Sequence, residues 1–140
     1  MALSIIKALK DVANWCKSIK TKTNYIGDFT ITKASEKSIP VTTITTVISK
    51  QLPPGTYIIS AALGWATGNS SLSTAEYIAV NNDIKIAGYT PDMVSGGPYS
   101  SITGCVKLTE TSTINIKQYW SGGSGTANNF APVLYTLRIS

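Results

Sequence analysis

The sequence predicts a mainly β protein: an antiparallel sandwich or barrel of about eight strands, preceded by one short N-terminal amphipathic helix. Three observations predict it. Only 14% of the 140 residues are charged while 43% are hydrophobic, and Ser, Thr, Asn and Gly fill the difference, the composition of a β-rich folded chain rather than a disordered one. The apolar spacing is helical up to Ile19 and becomes period two from Tyr25 onward. Turn signals then recur about every 8–12 residues, with no longer internal repeat of the kind that marks propellers or solenoids. This length suits one domain with an appendage, divided as residues 1–24 (helix) and 25–140 (head).

The helix is read from Ala2, Ile5, Leu9, Val12, Cys16 and Ile19, which alternate three and four residues apart and make one apolar seam. Lys7, Lys10, Asp11, Asn14, Lys17 and Ser18 fall off it. Three readings stay open: an oligomerising seam through Ile5, Leu9, Val12, Cys16 and Ile19, a helix packed on its own domain, or a basic helix on a membrane or another protein. The seam is too short to stand as a coiled coil unaided. Trp15 covers the seam's edge or marks an interface.

Strands follow. Thr30–Thr32 and the β-branched run Ile39–Ile48 disfavour helix through restricted rotamers. Leu52-Pro53-Pro54-Gly55 is a turn into a long strand, Thr56–Ala66, central to a sheet, with Trp65 in the core. Ala75–Val80 and Ile84–Ala87 flank the tight turn Asn81-Asn82-Asp83. Gly88–Ser101 reads as a long loop, Ile102–Leu108 and Ser112–Trp120 as strands, Ser121–Asn129 as a flexible loop, and Val133–Ile139 as the closing strand.

Composition excludes several functions. There is no histidine, which removes imidazole bases, the Ser-His-Asp triad and ordinary zinc sites. Two cysteines, Cys16 and Cys105, make no disulfide scaffold and read as small buried apolar residues. No run of 18 apolar residues exists, and lysines interrupt the N-terminal segment, so neither a membrane span nor a secretory signal is expected. The net charge of +5 lies wholly in residues 1–50, with eight lysines against Asp11, Asp28 and Glu36; the remainder balances four cations against four acids. A basic arm with a sole arginine, Arg138, is not a nucleic-acid-binding surface. Seven acids single out no catalytic pair, and Gly122-Gly123-Ser124-Gly125 lacks the Lys-Ser/Thr and helix of a phosphate loop. No enzyme activity, cofactor or metal is predicted; Asn82, Asp83 and Asp92 lack calcium-loop spacing.

A resemblance joins these readings. Leu52-Pro53-Pro54-Gly55-Thr56-Tyr57-Ile58-Ile59-Ser60-Ala61 resembles the Pro-x-Gly-x-Tyr-hydrophobic entry strand of tumour-necrosis-factor-like and complement globular-head jelly rolls. The pair Ile102–Leu108 and Ser112–Gln118, and the Ser121–Asn129 loop before Val133–Ile139, are similar to later parts of that family, over about residues 38–140. The chain departs from it in having only Phe29 and Phe130, so Tyr and Trp carry the aromatic load. Within the family its style resembles small structural proteins of tailed bacteriophages. That likeness implies an antiparallel jelly-roll sandwich as the head and a homotrimer, attached to other virion proteins through the N-terminal helix, assembled in the host cytoplasm, with a head that meets a host surface. The alternative is a bacterial carbohydrate-binding or adhesion module of the same fold. Tyr89, Tyr99, Tyr119 and Trp120, beside Asn81, Asn82, Asp92, Asn128 and Asn129, suit either a host-surface glycan or a subunit interface.

Overall fold

A computed structural model of the chain describes residues 10–18, 26–66, 72–93, 99–122 and 126–140. Residues 10–18 form helix α1; the rest of the predicted helical segment 1–24 lies outside the described residues. Nine strands follow: β1 Phe29–Lys33, β2 Lys37–Pro40, β3 Thr45–Leu52, β4 Gly55–Ala66, β5 Leu72–Val80, β6 Asp83–Met93, β7 Tyr99–Leu108, β8 Ser112–Ser121 and β9 Thr126–Arg138.

The strands build two antiparallel sheets. Sheet A runs β1-β9-β4-β7, with β2 also pairing β9, and sheet B runs β3-β8-β5-β6. β1 and β2 line one edge of β9 in succession, at Val133–Leu137 and Thr126–Asn129, so they act as a single interrupted edge strand. With that pair counted once there are eight strand positions, and every later connection crosses between sheets except the β5–β6 hairpin. This is a jelly roll, the sandwich among the two architectures the turn spacing allowed and the fold the resemblance implied. Asn81 and Asn82, at φ 48° and 74°, make the two-residue turn of that hairpin, a conformation asparagine tolerates.

The period-two pattern sets what each sheet buries. Ile59, Ala61, Leu63, Ile102, Val106 and Leu134 point inward from sheet A. Ile78, Ile114, Ile116 and Trp120 meet them from sheet B. The chain end is tied in: Arg138 lies 5.8 Å from the centroid of the Tyr57 ring and donates to the Pro54 carbonyl at 2.6 Å, while the Thr56 amide donates to the Ser140 carbonyl at 2.9 Å.

Three sequence boundaries move. Ile39–Ile48 is not one strand: β2 ends at Pro40, which lacks a ladder donor, and Thr42 turns the chain at φ 67°, its amide bonding the Trp120 carbonyl at 2.8 Å. The Gly88–Ser101 loop shrinks, because β6 continues to Met93 and β7 starts at Tyr99. The closing strand begins at Thr126 rather than Val133, since Asn128 and Asn129 pair with both β2 and β4. Both cysteines are exposed rather than buried: Cys105 sits on the outward side of β7 and Cys16 on α1. The Trp65 side chain lies outside the described residues.

Candidate functional site

The two outer faces of the sandwich differ in chemistry. On sheet A, Phe29, Ile31 and Lys33 of β1 face out beside Leu137, Tyr135 and Val133 of β9, then Ile58, Ser60 and Ala62 of β4, then Cys105, Thr103 and Ser101 of β7. One register row reads Phe29–Leu137–Ile58–Cys105 and the next Ile31–Tyr135–Ser60–Thr103. Phe29, Ile31 and Ile58 are 57%, 52% and 40% exposed, and Phe29 stacks on Tyr135 with ring centroids 6.2 Å apart. Neither row holds a charged residue; Lys33 and Lys107 lie outside them. Phe29, Ile31, Leu137, Tyr135 and Ile58 thus form an apolar patch, bordered by Ser60 and Thr103, whose hydroxyls lie 2.7 Å apart.

On sheet B the outward rows mix tyrosine, lysine, asparagine and serine with Ala75, Ala87 and the exposed Ile84. Ala75 of β5 pairs with Tyr89 on one side and Tyr119 on the other, so two tyrosines flank a small residue about 10 Å apart. The neighbouring row is Lys117–Tyr77–Ala87. Beyond it, Asn115 accepts from Ser49 Oγ at 2.7 Å. Tyr89 is 66% exposed and Tyr119 half-buried.

Of the four predicted aromatics, the structure therefore brings Tyr89 and Tyr119 together. Tyr99 belongs to sheet A, and its side chain lies outside the described residues. Trp120 is corrected: it faces inward and is fully buried, so it fills the core rather than meeting a ligand. Its neighbour Tyr119 takes the outer face because strand residues alternate. Of the predicted seam, Val12 and Cys16 lie on α1 and are exposed. Ile5, Leu9 and Ile19 fall outside the described residues.

The sequence reading missed a polar cluster inside the sandwich. Asn129 Nδ2 of β9 donates to Gln118 Oε1 of β8 at 2.7 Å, and Gln118 Nε2 donates to Thr74 Oγ1 of β5 at 3.3 Å, bolting sheet A to sheet B. All three residues are fully buried. Glu76, 1% exposed, pairs in register with Gln118. Burial pushes its pKa above the ordinary carboxylate value, partly opposed by the nearby Ser100 and Thr74 hydroxyls. By strict hydrogen-bond geometry, Glu76 Oε1, Ser100 Oγ and Asn129 Oδ1 each lack a partner among the described residues. The available signal was alternation: Thr74, Glu76 and Ile78 share one side of β5, and Ile78 is core.

No three His, Cys, Asp or Glu residues stand close enough for a metal among the described residues, and Asp83 instead pairs with Lys85. No described helix is long and apolar enough to cross a membrane.

No protein family and no curated protein matches the sequence. Solved structures do. The VP2 protein of infectious bursal disease virus, in a mutant forming T=1 particles, is similar at TM-score 0.58 and 12% identity, covering 80% of this chain and 32% of that one. The icosahedral particle of the same virus gives TM-score 0.60 at 10% identity, with 80% and 32% covered. The likeness is one of fold. This chain spans about a third of the length of those viral proteins. The CBM36-1 domain of a multidomain xylanase from the hindgut metagenome of Trinervitermes trinervoides is similar at TM-score 0.47 and 12% identity, over 77% of this chain and 96% of that one.

Proposed function

We propose that the chain is a non-enzymatic bacteriophage virion structural protein: a tail-fibre, baseplate, or capsid-fibre or decoration component. It assembles as a homotrimer in the host cytoplasm and is anchored to other virion proteins through its N-terminal helix. The observation that carries this reading is the bare apolar outer face of sheet A, centred on Phe29, Ile31 and Ile58. A monomer leaves that area in water at about 25 cal/mol for each Å² that a neighbour would cover. The jelly-roll fold shared with a viral particle protein and the trimer implied by the tumour-necrosis-factor-like likeness support it. Light scattering of residues 1–140 and of a chain starting at Thr23 tests it. A trimer in both places the assembly energy in the head, a trimer that falls to monomer on truncation gives the oligomerising role to the helix, and a monomer in both overturns the trimeric reading.

A second reading rests on a separate observation. The row Tyr119–Ala75–Tyr89 suits a host-surface glycan, whose apolar ring face stacks on an aromatic while its hydroxyls meet polar neighbours such as Lys117. This site serves either a virion head or the alternative, a bacterial carbohydrate-binding module. Retention on a panel of immobilised glycans, abolished by Tyr89→Ala, supports it; no retention on any glycan contradicts it.

A further inference from the structure

We infer that helix α1 of one copy lies across the outer face of sheet A of a neighbouring copy, so that the chain assembles by exchanging helices. The inference rests on the trimeric part of the assembly reading above, names what covers the bare face, and gives the α1 seam to a contact within the trimer in place of anchorage to other virion proteins.

Two apolar surfaces of one chain are left in water. On α1, Val12, Trp15 and Cys16 stand at i, i+3 and i+4, hence on one side of the helix, and all nine residues 10–18 are exposed. A helix this short does not persist alone in water, so its stability has to come from a surface it packs on. The outer face of sheet A is that surface's complement: apolar along Phe29, Leu137, Ile58 and Cys105, and uncharged there.

The dimensions agree. From Lys10 to Ser18, α1 makes eight steps that rise about 12 Å. The row from Phe29 to Cys105 crosses three strand gaps, about 14 Å. Lys10, Asp11, Asn14 and Lys17 fall off the seam and stay in water when it is covered. Helices bundled on helices leave the sheet face bare, and face against face leaves the helix bare; a helix folded back on its own sheet would cover both, but all nine residues 10–18 are exposed on the single chain. Exchange covers both. It is a head-to-tail contact, which closes into a ring when the rotation allows, as in a trimer.

The chain's two cysteines make the test direct, since Cys16 lies on the helix seam and Cys105 at the end of the sheet row. The full-length protein, refolded from a mixture of isotope-labelled and unlabelled chains, is treated with a short bis-maleimide and its linked peptides are read by mass spectrometry. Expected are Cys16–Cys105 links that join labelled to unlabelled chains and vanish in Cys105→Ser. Ile58→Asp, an unpaired charge in the contact, lowers their yield about tenfold. Cys16–Cys16 links alone, links confined to one chain, or no link in a protein that still scatters as a trimer each overturn the exchange while leaving the assembly reading standing. A monomeric mass before linking overturns both.

Discussion

The outer faces of sheets A and B are built by the same alternation yet end in opposite chemistry. β9 and β4 put Leu137, Tyr135, Val133 and Ile58 outward, while β8 and β5 put Asn115, Lys117, Tyr119 and Tyr77 outward. Both strand pairs send Ile and Leu inward to one core. The inward set specifies the sandwich, and the outward set specifies what surrounds it. Sheet A exposes Phe29, Ile31 and Ile58, which we propose as a subunit contact; sheet B sets Tyr77, Tyr89 and Tyr119 beside Lys117, with Asn115 buried in its row and Ile84 exposed.

Adjacent residues of β9 break this comparison most sharply. Leu134 is fully buried and Tyr135 faces out. Leu134→Ala costs about 2–5 kcal/mol through lost burial and the cavity it leaves, read as a lower urea midpoint. Tyr135→Asp keeps the fold, with an unchanged far-ultraviolet spectrum, and lowers the solution mass. If both variants unfold alike, the outer face belongs to the core and the comparison fails.

A middle-sized effect concerns the buried carboxyl. The folded-state pKa of Glu76 is raised above its ordinary value of 4.5, so between the two values the native chain holds a proton that the unfolded chain releases. The contribution of this group to stability is therefore most favourable at or below pH 4.5 and is lost as pH rises through the folded value. Glu76→Gln removes that pH dependence and raises the melting temperature at pH 7 relative to the wild type. Thermal melts of both proteins across that range check the sign. An identical slope in the variant contradicts the assignment.

The smallest effect is on sheet B. Tyr89→Ala changes stability by no more than about 0.5 kcal/mol, the usual size for an exposed substitution, and leaves the mass unchanged. A fall in mass would move the assembly surface to sheet B.

Much of this division was legible in the sequence. The turn spacing, the β-branched runs and the Leu52–Ala61 entry strand carried the jelly roll, because period two and turn chemistry are local. What was lost is non-local. Thr42 takes a positive φ because the Trp120 carbonyl waits for its amide, and Asn128 and Asn129 are strand because β2 and β4 flank them. Trp120 read as surface and Cys105 as core because each stands beside residues of the opposite exposure, and face assignment depends on register with a partner strand. Of the site, Tyr89 and Tyr119 were named, but that Ala75 sets them side by side, while Tyr99 goes to the other sheet, is a fact of topology. The Thr74–Gln118–Asn129 bolt joins three strands far apart in the chain: alternation along β5 could show that Thr74 faces inward, but not which partners meet it.

The central claim is that the outer face of sheet A is a subunit contact. The most direct test is the solution mass of the full chain beside Ile58→Asp, both checked for unchanged secondary structure. A trimeric wild type and a monomeric variant are the predicted result. A monomeric wild type, or a variant that remains trimeric, contradicts the account.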